Sequence, residues 1–76
     1  MFYVRIDGIS DKDLEFFGYF LVAESSRFKL YRDYRGEDHL VVKSRPYLLI
    51  EDMNEAQDIA ALSGAQEAVN MPPRSH

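Results

Sequence analysis

The stretch RFKLYRDYRGEDHLVVKSR, residues 27–45, predicts a β-hairpin at the centre of the fold. Aromatic and β-branched residues are frequent in strands, and they recur in residues 28–34 and again in residues 39–44. Between these two runs lies Gly36, which can supply the positive φ that a tight turn requires. We therefore predict two antiparallel strands joined by a turn at residues 35–38.

Upstream of the hairpin, the sequence predicts a strand and then a helical turn. Apolar and polar residues alternate from Met1 to Asp7, which is the period of a half-buried strand. Ser10 is a candidate helix N-cap, with Asp13 in the first turn. The segment that follows is either one longer helix or a helical turn near residues 11–15 and then a buried strand over about residues 17–24. We favour the second interpretation because aromatic and β-branched residues are crowded there.

Downstream of the hairpin, the sequence predicts a break and then a helix. Pro46 has no backbone N–H to donate, so it belongs at an edge, a bulge or a break, and residues 47–50 either resume the strand or begin a new one. Asp52 or Asn54 caps a helix that continues to about Ser63. Beyond it we expect a C-terminal cap at Gly64, a short strand or helical continuation over residues 65–71, and a flexible tail over residues 72–76.

Together these elements predict an α+β fold, with a small, meander-like antiparallel sheet of about four strands packed against one helix in the C-terminal half. Residues 1–71 are expected to form one compact domain. The chain has 76 residues and no cysteine, and its two histidines are too few for a structural zinc site with four Cys or His ligands. Stability must therefore come from the core or from association with another chain.

The sequence contains no signal for a membrane or for secretion. No segment approaches the roughly 18–20 apolar residues that a membrane-spanning helix needs. The first residues, Met1 to Arg5, lack the basic region and apolar stretch of a secretory signal. We expect a cytoplasmic protein with no membrane partner, and the absence of cysteine agrees with a reducing compartment.

The acidic residues near the predicted first helix do not form a calcium loop. Asp11, Asp13 and Glu15 have the spacing with which such a loop begins. A calcium loop also needs a glycine at its sixth position and a glutamate at its twelfth, and here these positions hold Phe16 and Val22. We therefore interpret the three carboxylates as a solvated helix start.

The other residues that could carry chemistry also have simpler interpretations. A second acidic group lies at the start of the predicted C-terminal helix and consists of Glu51, Asp52, Glu55 and Asp58. Negative charges at that end complement the helix dipole, so they need neither a metal nor a catalytic role. His39 lies beside acidic residues just past the hairpin turn and is expected to face solvent. With this single candidate base, no thiol and no glycine-rich phosphate loop, we predict no enzyme, no metal and no cofactor.

Charge is distributed unevenly along the chain. Residues 27–45 hold six basic and three acidic residues, whereas the segments on either side are acidic and the whole chain carries a net charge of −4. In one interpretation, the acidic helix and the basic hairpin lie side by side and partly neutralise each other. In the other, the hairpin is a contact surface.

The second interpretation assigns a direction to each side chain of the first hairpin strand. Alternate side chains of a strand share a face. Phe28 and Leu30 are predicted to face the core. The opposite face would then present an outward basic–aromatic row, a composition favoured at interface hot spots, formed by Lys29, Tyr31 and Arg35.

These patterns support three hypotheses about function. The preferred one is a non-enzymatic protein-binding module. It would be an inhibitor or regulator of a larger complex, for example one that handles nucleic acid, and would be of the kind that phages and mobile elements encode. Its candidate partner-binding residues are Lys29, Tyr31, Arg32 and Arg35 on the hairpin and Glu51, Asp52, Glu55 and Asp58 on the acidic helix. The alternative is a nucleic-acid-binding accessory domain that uses the hairpin, although a pI ≈ 5.0 is unusual for that class. The third is a homodimer that pairs through an exposed sheet edge.

Overall fold

Seven helices and strands follow one another along residues 1–62, the part of the chain that the structure, a computed structural model, describes. In chain order they are β1 (Phe2–Arg5), α1 (Asp11–Phe16), β2 (Tyr19–Glu24), β3 (Phe28–Asp33), β4 (Asp38–Val42), β5 (Tyr47–Ile50) and α2 (Met53–Leu62). The predicted α+β class is confirmed. Strands β2, β3 and β4 form the predicted antiparallel meander, whereas β1 and β5 pair in a second antiparallel sheet. The described residues therefore hold five strands in two sheets rather than about four strands in one.

Helix α2 packs against β1 and β5 and covers the two-stranded sheet. Its N-cap is Asp52, one of the two predicted caps, whose carboxylate accepts a hydrogen bond from the backbone N–H of Glu55 at 3.2 Å. The buried stripe of the helix consists of Ala56, Ile59 and Ala60. Because two of these three side chains are single methyl groups, the helix can lie close to the strands beneath it.

The segment before the hairpin contains a short helix and then a strand, as predicted. The alternative prediction, one longer helix, is wrong. The Ser10 hydroxyl caps α1 by accepting a hydrogen bond from the backbone N–H of Asp13 at 3.1 Å. Gly18, at a φ of +90°, then redirects the chain into β2. The strand is not buried throughout, contrary to the prediction, since Tyr19 is 4% exposed but Val22 is 45% exposed. Within the described residues, the three-stranded sheet is covered on one face only.

The hairpin turn forms at residues 34–37, one position earlier than predicted, since Asp38 already belongs to β4. Gly36 has a φ of +85°, and its backbone N–H donates to the carbonyl of Asp33 at 2.9 Å. Pro46 lies in the interruption between β4 and β5. Its carbonyl accepts a hydrogen bond from the N–H of Ile6 at 2.8 Å. Strand β5 is therefore a new strand beside β1 and not a continuation of β4.

One core cluster collects side chains from every strand and both helices of the described chain. Its largest fully buried side chains are Tyr31, Leu14, Leu48, Ile50, Ile59, Val4 and Val41. A tyrosine from the middle of the basic hairpin thus belongs to the core. Its burial shows which face of the three-stranded sheet points inward.

The expectations for the C-terminal residues stay predictions. The helix end near Ser63, the cap at Gly64, the element over residues 65–71 and the tail over residues 72–76 all lie outside the described residues. Within residues 1–62, no helix has the length and apolar character needed to cross a membrane.

Candidate protein-binding surface

The strand register divides the three-stranded sheet into two faces. Residues directly opposite each other on antiparallel strands project from the same face. Along β3 and β4, three such pairs alternate with two others. We name the face formed by the first set, together with the β2 residues in register with it, the outer face: Phe20, Ala23, Phe28, Leu30, Arg32, Asp38, Leu40 and Val42. The second set lies on the inner face, which is the side of the core: Tyr19, Leu21, Glu24, Lys29, Tyr31, Asp33, His39 and Val41.

The predicted directions of the β3 side chains are wrong. Tyr31 was expected to point outward but is 1% exposed, whereas Phe28 was expected in the core and is 38% exposed. The physical reason is that the Tyr31 hydroxyl has a partner inside, because it donates to a carboxylate oxygen of Asp11 at 2.7 Å. A tyrosine whose hydroxyl is hydrogen-bonded can be buried with its whole ring. Helix α1, which carries Asp11, lies on that side of the sheet.

The outer face is apolar and exposed. Leu40 is 62% exposed, and Phe20, Val42 and Phe28 are each between 38% and 44% exposed. A shallow groove of about 240 Å³ is lined by Ala23, Glu24, Ser25, Phe28, Leu30 and Leu40. This groove has room for an apolar side chain of a partner. Contiguous apolar patches on a protein surface are often functional, so this face is a candidate interaction site.

The charges on the outer face cancel. Arg32 and Asp38 stand opposite each other on β3 and β4 and form a bidentate pair, with Nε to Oδ1 at 2.7 Å and Nη2 to Oδ2 at 3.3 Å. The hydrogen bond from Arg32 lowers the pKa of Asp38, and the same bond raises the pKa of Arg32. The pair of Lys43 with Glu24, at 2.6 Å, lies off this face, because Glu24 is in register with Lys29 of the inner face. The face is therefore close to neutral on a chain whose net charge is −4.

The inner face carries a buried polar cluster at the hairpin turn. One oxygen of Asp33 accepts the backbone N–H groups of Arg35 at 2.9 Å and of Glu37 at 3.0 Å, and its other oxygen lies 2.9 Å from Nε2 of His39. Burial by itself raises the pKa of Asp33, but the hydrogen bond from His39 and the two backbone N–H groups lower it below its ordinary value. Asp33 thus holds the turn together from inside.

His39 was expected to face solvent, and this is wrong. Its side chain is 18% exposed and its ring packs edge-on against Tyr19, with ring centroids 5.4 Å apart. Residues 33, 37 and 39 could also be considered as metal ligands, since one atom from each lies within 4.8 Å of the others. In this arrangement both Asp33 oxygens already have hydrogen-bond partners. We therefore interpret the cluster as the hydrogen-bonded core of the turn.

The acidic candidate residues do not share one surface. Asp52 caps α2, as described above, and Glu55 is partly buried, with its Oε1 atom inaccessible and without a hydrogen-bond partner in the described residues. Burial first, and then the carboxylate of Glu55, raise the pKa of the Tyr19 hydroxyl. Glu51 and Asp58 are exposed. Glu55 is thus part of the interior.

The basic candidate residues are also divided. Lys29 lies on the inner face, where its Nζ is 3.4 Å from a carboxylate oxygen of Asp11. Arg32 is paired on the outer face, and Arg35 lies beyond β3 with its guanidinium 5.6 Å from the centre of the Tyr34 ring. Tyr34 and then Glu37 raise the pKa of Arg35, with smaller contributions from other carboxylates that include Glu51.

The apolar members of the outer face were not identified as binding residues from the sequence. One signal could have indicated them. Leu40, Val41 and Val42 are three consecutive apolar residues in a strand. Because successive side chains point to opposite faces, a strand covered on one face only must expose at least one of the three.

No protein-family model, curated protein or solved structure matches the chain.

Proposed function

We propose that the chain is a non-enzymatic protein-binding module whose contact surface is the outer face. The partner that suits this surface is a protein with an apolar patch that carries no net charge. The observation behind the proposal is the row of exposed apolar side chains on one sheet face, with its two charges paired to each other. Interfaces place apolar and aromatic groups at their centre and deplete that centre of charge.

A nucleic acid is a poorer partner for the same surface. Binding to phosphates depends on Lys and Arg side chains that can neutralise them. The only cation within the outer face is Arg32, which is held by Asp38, while Lys29 and Tyr31 of the proposed hairpin site lie on the other side of the sheet. These positions favour the protein-binding hypothesis over the nucleic-acid one.

The class of function that we propose is an inhibitor or regulator of a larger complex, which requires a surface and no reacting group. We place it in the cytoplasm, a proposal that rests on the cysteine-free sequence. The surface itself can be tested without knowing the partner.

The test is site-specific photo-crosslinking in the native host. A benzophenone amino acid replaces Leu40 on the outer face in one version of the chain and the exposed Asp58 of α2 in a matched control. We expect protein adducts from position 40 and few from position 58. Excess wild-type chain should compete with the adducts, and excess Leu40→Asp chain should not.

Three other results would overturn the proposal. Adducts from position 58 alone would move the binding surface to the acidic helix. Loss of the position-40 adducts after nuclease treatment would favour a nucleic-acid partner. An absence of adducts from both positions would mean that neither surface binds.

A further inference from the structure

We infer that the protein on the outer face is a second copy of this chain, so that two outer faces pack against each other in a two-fold dimer. The inference rests on the proposed function, because it names the partner of the same surface. It places the contact on the sheet face and not on a sheet edge.

The first argument is the charge of the surface. Two copies that each carry a net charge of −4 repel each other, and the repulsion is least where the approaching surfaces carry no net charge. The outer face meets this condition, because its two charged residues, Arg32 and Asp38, neutralise each other. The remaining acidic residues of the described chain lie on α1, α2, the inner face and the loops.

The second argument is that the face is complementary to itself. Its side chains come in cross-strand pairs on β3 and β4: Phe28 with Val42, Leu30 with Leu40, and Arg32 with Asp38. A two-fold axis that runs along the strands, midway between β3 and β4, places β4 of one copy over β3 of the other. Each pair then meets its own reversed copy across the interface, as an isologous contact requires.

This geometry places each outer-face side chain of β4 over its β3 partner from the other copy at each level of the sheet. Leu40 of one copy packs over Leu30 of the other near the centre, and the ring of Phe28 packs over Val42. Arg32 of one copy faces Asp38 of the other, so the two ion pairs form one four-membered network. Packed sheets cross at about −30°, which keeps the central pairs in register and separates the outer ones slightly.

The small size of the face indicates a weak dimer. Three strands at about 4.8 Å spacing and five residues at about 3.4 Å rise give a footprint of roughly 15 by 17 Å. This is well below the ~800 Å² per partner of a standard stable interface. We therefore expect a weak and reversible dimer.

The first test is sedimentation equilibrium of the full chain from about 5 to about 500 µM, a range in which weak and reversible dimers form. We expect the mean mass to rise from monomer toward dimer over this range. The Leu40→Asp variant should stay monomeric, because it places two carboxylates near the two-fold axis, and its circular dichroism should match the wild type. A dimer that persists in Leu40→Asp would overturn the outer-face geometry.

The second test uses charge reversal, which a merely structural role would not reproduce. Arg32→Asp makes this end of the face doubly negative, and Asp38→Arg makes it doubly positive. Each variant alone should therefore dimerise at least about tenfold more weakly, a loss that corresponds to about 1.4 kcal/mol. An equimolar mixture of the two variants should dimerise again, because unlike charges then meet across the interface. A mixture that remains monomeric would overturn the two-fold arrangement.

The outcomes separate this inference from the proposed function. If the chain is monomeric at 500 µM, the highest concentration of the test, while position 40 forms adducts with another protein, the second copy is wrong and the protein-binding surface stands. If the adduct from position 40 is two copies of the chain, both hold. If position 40 forms no adduct and the chain is monomeric, both are wrong.

Discussion

The two faces of the β2–β3–β4 sheet contrast in a way that inverts the usual expectation. The inner face is rich in polar groups and is buried, whereas the outer face is almost wholly apolar and is exposed. Polarity alone would have turned the sheet the other way. The orientation is consistent with hydrogen bonding, because the polar groups of the inner face have partners there and their burial therefore costs little.

The same contrast separates what stabilises the fold from what is available for binding. The inner face carries the contacts of Tyr31 with Asp11 and of Asp33 with the hairpin turn. Within the described residues, the side-chain hydrogen bonds of the outer face are those of the exposed Arg32–Asp38 pair, so its apolar area is free to contribute to association. Substitutions on the inner face should therefore change stability, and substitutions on the outer face should change binding.

The largest effect is expected from Asp33→Ala. The substitution leaves two backbone N–H groups and His39 without their acceptor in a site where the carboxylate is 1% exposed. Leaving buried donors unsatisfied, together with the loss of a charged hydrogen-bond acceptor, should lower the free energy of unfolding by about 3 kcal/mol. Urea denaturation at pH 7 measures this loss of unfolding free energy. The matched control, Asp38→Ala on the exposed face, should leave the midpoint nearly unchanged.

The dependence of unfolding free energy on acidic pH provides a second test of the role of Asp33. The pKa of Asp33 is lowered in the folded state, so its ionised form stabilises the protein above the ordinary value of 3.8 and this contribution is lost as the pH falls through the folded pKa. Asp33→Asn has no carboxyl group to protonate. The gap in stability between wild type and Asp33→Asn should therefore narrow below about pH 4. A gap that stays constant would mean that hydrogen bonding to the charge is not what holds the turn.

The order of the elements could be predicted from the sequence, because each depends on local chemistry. The Ser10 cap, the Gly36 turn and the Asp52 cap each need only a side chain or a φ angle at one position, and all three are present. The split into two sheets could not be predicted in this way, because β1 pairs with β5 through residues that are more than 40 positions apart in sequence.

The candidate surface was harder to predict than the fold. A strand of alternating side chains shows that it has two faces, but not which face is covered. For β3, the answer depended on whether an acceptor stood opposite Tyr31, and that acceptor is Asp11 on α1. The basic–aromatic row was wrong for this reason. The apolar run from Leu40 to Val42 contained the better signal.

The second-largest effect is expected from Val41→Ala, which we compare with a substitution of its neighbour Leu40 on β4. Val41 is 2% exposed and Leu40 is 62% exposed. Val41→Ala removes buried methyl groups and leaves a cavity, so it should cost about 2 kcal/mol of unfolding free energy. Leu40→Ala, measured at concentrations where the chain is monomeric, should change it by less than about 0.5 kcal/mol. Equal losses for the two variants would show that the outer face is covered within a single copy.

The smallest effect is expected from Tyr31→Phe, which removes one hydroxyl and keeps the ring. The Tyr31 hydroxyl donates to Asp11, so its loss should cost about 1 kcal/mol at pH 7, whereas Tyr34→Phe, at a residue that is 72% exposed, should cost much less. Burial first, and then the hydrogen bond to Asp11, raise the pKa of Tyr31 above its ordinary value of 10.0. The unfolded chain therefore loses this proton first, and the stability contributed by the buried phenol is complete below about pH 10 and decreases as the pH rises further.

Chemical denaturation between pH 8 and about pH 11 tests this dependence. Above pH 10.0, the ordinary tyrosine value, wild type should lose stability faster than Tyr31→Phe, so that the two curves converge. The remaining slope in Tyr31→Phe should come in part from Tyr19, whose pKa is raised by burial and by Glu55. Curves that stay parallel would show that the Tyr31 hydroxyl reaches water, and the assignment of inner and outer faces would then have to be reversed.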